Sequence, residues 1–356
     1  MTQKYRACRF ATLTVVAALF LTAVSAAAQE PEGVNQLEDW QQEELISLIE
    51  EARQTITAPA AGPAAFELGG FASQIGTDGD GYVAYTVTID PSKISTPTVA
   101  MYMFLLDPAS IAAVSADENG DSDEAPELPD DAFEYYDFID VASGGTEPVQ
   151  ISRALTAPGG EYEIFIAIRD SSGGEEVEDD VVQSAPLLLR ESVTVPDFWN
   201  GTLQTSTVLI PDSLEQLQIP LTPDQLQLSP YTIAGVLRIE PKFDRVFGKQ
   251  DELSLIFVVY NAGSEDGSKP NLQIEYNFHQ QTADGEEFFN QTQPQEFNAE
   301  TLPPGFDLSM GHMLPVTQSV PLSLFPAGDY RLEIKLIDTA GSTELIHNVM
   351  FTVEEA

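Results

Sequence analysis

The feature that most limits how this chain can fold is a stretch that it contains twice. Residues 158–173 read PGGEYEIFIAIRDSSG and residues 326–341 read PAGDYRLEIKLIDTAG, at a constant offset of 168. Pro158, Gly160, Tyr162, Ile166, Asp170 and Gly173 recur as Pro326, Gly328, Tyr330, Ile334, Asp338 and Gly341. Each copy opens on a Pro-x-Gly turn, in which Pro sets φ and Gly tolerates positive φ. A period of two follows: Tyr162, Ile164, Ile166 and Ile168 in one copy, Tyr330, Leu332, Ile334 and Leu336 in the other. Arg331, Glu333 and Lys335 occupy the opposite face, the pattern of a strand buried on one side. Asp-x-x-Gly then ends the strand in a turn. Two copies of one strand-and-turn unit imply two copies of one β module.

The remaining apolar patterning agrees. Val83, Tyr85, Val87 and Ile89 alternate, residues 99–106 form a continuous apolar strand, and further strands are expected near 133–141, 148–155, 161–169 and 186–195. In the second half Leu253/Leu255/Phe257/Val259, Leu272/Ile274/Tyr276/Phe278 and Val349/Phe351/Val353 alternate. A turn, a Tyr at the start of a strand and a hairpin to a last strand resemble the penultimate strand of an immunoglobulin-like sandwich, with its tyrosine corner. The expected fold is all-β, two tandem immunoglobulin/fibronectin-III-like antiparallel β-sandwiches with one N-terminal helix. Sandwich 1 is expected over 66–196, a linker over 197–230 and sandwich 2 over 231–356.

Residues 1–28 read as a signal peptide: Lys4, Arg6 and Arg9, an apolar run over 10–24, then Ala26, Ala27 and Ala28. Export to the periplasm or the extracellular space is the expectation, without membrane insertion after cleavage. The one cysteine, Cys8, lies in this segment, so the mature chain is expected to hold neither a disulfide nor a thiol nucleophile. The formal net charge is −42, and −45 once the three signal cations are removed. Such a field excludes nucleic acid and anionic membrane surfaces as partners.

Within 29–65, residues 34–57 are expected as a helix docked on sandwich 1. Asn35 and Glu38 resemble a capping box, and Leu45, Leu48, Ile49, Ala52 and Ile56 share one face. The alternative is a coiled or swapped contact with another chain. The Ala/Pro/Gly stretch 58–65 reads as a linker. Residues 107–131 read as a solvated insertion, since residues 117–137 hold ten acids and no base.

Chemistry-bearing motifs are few. His279, His312 and His347 form no metal-binding spacing, and no nucleophile elbow or phosphate loop appears. Asp117, Asn119, Asp121 and Asp123 alternate as calcium ligands do, but Ser122 and Leu128 stand where an EF-hand needs Gly and Glu. An irregular calcium site would draw on Asp78 and Asp80 with Asp117, Asp121 or Asp123, all at one end of sandwich 1; the acidic run 175–180 is expected at the other end. Calcium is the only cofactor considered. Arg238, Lys242, Arg245 and Lys249 form the one basic cluster, a mixed-charge loop or a contact to acidic surface. Phe198 and Trp199 read as packing between the modules.

The segment YTIAGVLRIEPKFDRVFGKQDELSLIFVVYNAG, the FPAGDYRLEIKLIDTAG strand and VPDFWNGTLQTSTVLIPD resemble sandwich modules of exported bacterial proteins that accompany GWxTD or von Willebrand A-related domains. Those domains themselves have no counterpart in the sequence, and the resemblance carries over no catalytic residue. It implies an exported, non-enzymatic binding or scaffolding protein of the bacterial cell envelope, with a protein partner. Two alternatives stay open. One is a protease-inhibitor-like sandwich module, through LSLIFVVYNAG and the PAGDY strand, with 290–313 as its loop. The other is an unrecognised carboxylate-dependent hydrolase.

Overall fold

The structure is a computed structural model and describes residues 37–57, 66–76, 79–117, 125–130, 132–141, 146–174, 184–265 and 267–355. They divide into two compact units. One holds Gly76–Asp197 with the preceding chain up to Phe71, the other Phe198–Ala356 with Ala72–Ile75.

In the first unit α1 (Asp39–Gln54) precedes β1 (Glu67–Ile75, of which Ala72–Ile75 are counted with the other unit), β2 (Gly81–Ile89) and β3 (Thr98–Leu106). Then come α2 (Pro108–Asp117), β4 (Phe133–Asp140), β5 (Val149–Ala157), β6 (Gly160–Asp170) and β7 (Leu187–Val195). The strands form two sheets, ordered β1-β2-β5 and β4-β3-β6-β7. Val83, Tyr85, Val87 and Ile89 of β2 pack against Met101, Met103, Ile164 and Ile166 in the interior between them. The other face of β3 and β6 is also apolar. Ala100, Tyr102, Phe104, Leu106, Phe165 and Ala167 lie beneath Leu45, Leu48, Ala52 and Ile56 of the helical segment. A strand covered on both sides reads as one continuous apolar run, which explains 99–106.

Polar pins orient this helix. Glu51 bridges Arg169 at 2.6 Å, and Arg53 bridges Glu134 at 2.6 Å while donating to the Tyr102 hydroxyl at 3.1 Å. Glu44 accepts from the Ser171 hydroxyl at 2.7 Å and from Ser172 N at 2.9 Å. Arg190, ion-paired with Glu163, donates to the Ile56 carbonyl at 3.1 Å just past the helix C-terminus, where a cation also interacts favourably with the negative end of the helix dipole. The capping box is Glu38 with Gln41, not Asn35 with Glu38, so the helix starts later than the periodicity suggests. Residue 35 lies outside the described residues.

The insertion 107–131 is not all loop. Its first part is α2, whose N-terminus is capped by Asp107: Oδ2 accepts from the Ser110 hydroxyl at 2.7 Å and Oδ1 from Ser110 N at 3.0 Å and Ala109 N at 2.7 Å, and these bonds, the hydroxyl's first, hold the carboxyl below its usual pKa. Ile111 and Val114 pack against the cluster beneath α1. Charge counting hid a short apolar helix face.

The second unit contains β8 (Gln204–Thr205), β9 (Pro211–Gln216), α3 (Pro223–Leu228), β10 (Thr232–Ile233), β11 (Leu237–Pro241), β12 (Val246–Gly248) and β13 (Glu252–Tyr260). They are followed by β14 (Leu272–Thr282), β15 (Gly285–Gln291), β16 (Gln295–Phe297), β17 (Leu314–Pro321), β18 (Gly328–Asp338) and β19 (Thr343–Glu354). One sheet runs β17-β13-β8, the other β12-β19-β18-β14-β15 with β16 also on β14, and β10-β11-β9 form a small third sheet. The span 197–230 is therefore not a linker. Its β8 pairs with β13 through Val259–Thr205 and Tyr260–Gln204, and Leu209 bridges Ile256. A two-residue edge strand is too short to show a period.

Both units are immunoglobulin/fibronectin-III-like sandwiches, and β6 and β18 occupy the same place in them. Each spans eleven residues, is flanked on both sides, and starts its final hairpin at the equivalent pair, Gly160–Val195 and Gly328–Val353. Each has a tyrosine corner: the Tyr162 hydroxyl donates to the Pro158 carbonyl at 3.0 Å and that of Tyr330 to Pro326 at 2.7 Å. Tyr330 is fully buried, whereas Tyr162 is half-buried. The terminal aspartates also share a role, fixing the loop before the preceding sheet strand. Asp170 accepts from Ser95 N at 2.9 Å, and Asp338 from Gly263 N at 2.6 Å and Gly341 N at 2.8 Å. A Cβ on Gly263 would stand 2.3 Å from Gly341 N, so only glycine allows this approach.

Candidate functional site

Of the five aspartates expected at a calcium site, Asp78, Asp121 and Asp123 lie outside the described residues, as does the side chain of Asp117 at the end of α2. Asp80 is described, and its carbonyl accepts from Gly76 N at 3.0 Å across the β1–β2 turn. The acidic run 175–180 is outside as well. Among the described residues no three His, Cys, Asp or Glu side chains converge on a metal position.

The three histidines pack among side chains of the second unit. His279 lies edge-on to Phe288 at 5.8 Å, with Nδ1 3.8 Å from Glu286, and His312 Nδ1 accepts from Asp307 N at 3.0 Å. His347 shares a 2.8 Å hydrogen bond with Thr205 of β8, and burial lowers its pKa. Most of the basic cluster is matched by neighbouring acids: Arg238 with Glu215 at 2.8 Å, Lys242 with Asp244 at 3.0 Å and Lys249 with Glu355 at 2.7 Å. It is a mixed-charge surface. Phe198 is buried against Tyr260 inside the second unit, with ring centres 5.1 Å apart, while Trp199 is 52% exposed. The two aromatics therefore have separate environments.

The interval 290–313 is folded rather than extended. Phe306 is buried, with Leu302 and Leu308 packed on the core of sandwich 2. Residues 307–311 form a tight turn in which Asp307 Oδ1 accepts from Ser309 N at 2.8 Å and Met310 N donates to the Asp307 carbonyl at 3.2 Å. Met310 is exposed at the tip of this turn.

This interval forms one wall of an open groove of about 420 Å³, lined by Glu265, Lys269, Pro270, Asn271, Asn298, Ala299 and Glu300. Described residues of both walls are held by hydrogen bonds. The β13–β14 loop is held by Asp338, and Ser268 accepts from Leu308 N at 2.8 Å. Asn298 Oδ1 accepts from Glu300 N at 2.9 Å and Thr301 N at 3.2 Å. Lys269 is drawn across the base, donating to the Pro303 carbonyl with its ammonium 5.9 Å from the Phe306 ring centre. The groove therefore presents carboxylates and amides on preformed walls. Sequence reasoning missed it, because Glu265 and Glu300 come to line one groove only through the fold.

The outer face of the β19-β18-β14-β15 sheet is polar. Arg331 forks onto Glu286 at 2.8 and 2.6 Å, and Lys335 meets Glu344 at 2.9 Å. Hydrogen bonds from Arg331 hold the Glu286 carboxyl at about 2, well below its usual 4.5. The exposed Phe288, Ile346 and Met350 stand on strands flanking this lattice.

Among the described residues no helix is long and apolar enough to cross a membrane. No protein-family model matches the chain, and neither does any curated protein. Among solved structures the chain is similar to trypsin-activated alpha-2-macroglobulin from Escherichia coli, at 11% identity over 83% of this chain and 17% of that one, with a TM-score of 0.23. Salmonella alpha-2-macroglobulin reacted with methylamine gives 13% identity over 83% and 17%, with a TM-score of 0.20. The FN1–FN3 domains of chicken CNTN1 give 10% over 82% and 67%, also at 0.20. The chain thus spans about a sixth of the alpha-2-macroglobulin chains, and at these scores the likenesses carry no argument about activity.

Proposed function

We propose that this protein is an exported, non-enzymatic binding or scaffolding protein of the bacterial cell envelope, and that a partner protein docks in the groove of sandwich 2. The observation that carries this reading is the groove itself, a cleft of about 420 Å³ whose two walls are hydrogen-bonded in place. Walls already held in place lower the ordering cost of binding a partner. Lys4, Arg6, Arg9 and the apolar run behind them support export. The strong negative charge supports a partner other than nucleic acid or an anionic membrane surface. In this reading the chain is an accessory module of the kind that stands beside GWxTD or von Willebrand A-related domains.

Cross-linking in native envelope extracts tests the proposal. The wild-type protein should join a defined partner, and Ala299→Trp, which fills the groove from an exposed position, should lose it while keeping the wild-type melting temperature. Equal capture by both proteins would remove the groove from the proposal.

A further inference from the structure

The turn leading into β8 contains Asn200 followed by Gly201, the one Asn-Gly pair among the described residues. Both are exposed, Gly201 has φ +75°, and a Cβ there would meet nothing within 4 Å. Asn200 Oδ1 accepts three hydrogen bonds: from Thr202 N at 2.9 Å, from the Thr202 hydroxyl at 2.7 Å and from Gln204 Nε2 at 3.0 Å. The main-chain N–H of Gly201 has no acceptor among the described residues.

We propose that Asn200–Gly201 is a self-modification site, where the side-chain amide is converted to a carboxylate. The Gly201 main-chain nitrogen loses its proton to solvent and attacks Asn200 Cγ. A C–N bond forms, the amide nitrogen takes up a proton and leaves as ammonia, and a five-membered cyclic imide remains. Water then opens the imide at either carbonyl, giving aspartate or isoaspartate, with no oxidant or reductant involved. Glycine in second place leaves the nitrogen open to approach. The three donors on Oδ1 face the oxygen that gathers negative charge as Cγ becomes tetrahedral, the arrangement by which an oxyanion hole lowers a barrier.

The conversion acts on sandwich 2 through its first strand. Asn261 Nδ2 donates to the carbonyls of Phe198 and Thr202, both at 2.9 Å, so the turn is tied to the end of β13. Isoaspartate adds a methylene to the main chain at residue 200 and moves the carboxylate away from Thr202 and Gln204. The two-residue β8 then loses its fixed entry.

Incubation of the full-length protein at mildly alkaline pH, followed by tryptic mass spectrometry, tests this. The peptide between Arg190 and Arg238 holds Asn200 as its only asparagine, and fragment ions that separate residue 200 from Gln204 and the later glutamines assign the amide-to-acid mass change to it. Asn200 should convert well ahead of Asn290 and Asn298, which precede Gln291 and Ala299. Thr202→Val removes one donor and should slow the reaction about tenfold, less than the hundredfold or more such a donor is worth in a water-excluded site. Gly201→Ala should slow it too, which keeps the test open if Thr202→Val folds poorly. Conversion at Asn200 no faster than at Asn290 and Asn298, or an unchanged rate in a folded Thr202→Val protein, overturns the assignment.

Discussion

The outer faces of the two equivalent sheets are finished in different ways. Met103 pairs with Ile166 in sandwich 1 and Tyr276 with Ile334 in sandwich 2, which sets the strands in common register. Ala100, Tyr102, Phe104, Leu106, Phe165 and Ala167 then correspond to Gln273, Glu275, Asn277, His279, Glu333 and Lys335. The first set is buried beneath α1; the second is half-exposed and laced with ion pairs. One topology thus accepts two surfaces. Six apolar side chains in water would form an aggregation-prone patch, so sandwich 1 needs a helix that sandwich 2 does without.

The largest effect should come from removing that cover. Leu48 is fully buried in the helix-sheet layer, and Leu48→Ala should destabilise sandwich 1 by about 2–5 kcal/mol, the range for deleting a buried leucine side chain. Urea titration measures it. A loss below about 0.5 kcal/mol, the level of an ordinary surface change, would break the comparison, since the helix would then be an ornament.

The tyrosine corners sharpen the comparison at the next level. Tyr330→Phe removes a hydroxyl carried on a fully buried ring from the exposed Pro326 carbonyl and should cost about 1 kcal/mol. Tyr162→Phe, at a half-exposed corner where water can replace the hydroxyl, should cost about 0.5 kcal/mol. Equal losses would mean that the corners differ less than their burial implies.

Two pH effects are smaller and belong to sandwich 2. His347 resists protonation in the folded state because burial lowers its pKa from 6.5. The unfolded chain takes up that proton first, so stability is full above about pH 6.5 and falls as the solution is acidified below it. Melts across this interval should show the decline, and His347→Gln should flatten it. Glu286 runs at lower pH: its folded pKa of about 2 against 4.5 gives stabilisation that is present above 4.5 and is lost as pH falls toward 2. Because Glu286 is solvent-facing, the effect should be slight and should shrink with added salt. An Arg331→Lys protein, which lacks the fork, should show less of it.

Much of the architecture was legible from β6 and β18 alone, since Pro, Gly, Tyr, Asp and the period of two each record a local requirement of turn, corner or strand. The apolar run 99–106 marked β3 as a strand and the stripe Leu45, Leu48, Ala52 and Ile56 marked an amphipathic helix; that the one covers the second face of the other came from the structure. Other elements left no such trace. Residues 204–205 are too few for a period, and α2 was masked by the acids that follow it. The calcium expectation falls mainly on residues outside the described ones.

By itself, the sequence determined the elements whose patterning repeats within a few residues: the duplicated strand, the amphipathic helix and the alternation that makes one outer face of β18 polar. The tertiary structure decided everything that depends on residues distant along the chain. It chose Glu51 and Arg53 as pins for Arg169 and Glu134, brought Thr205 to His347, and set Glu265 across from Glu300. The physical reason is that periodicity reports which side of an element is buried, whereas a groove or an ion pair depends on where two elements meet. That meeting is fixed by strand pairing and loop closure over separations of tens to more than a hundred residues, which no local pattern encodes.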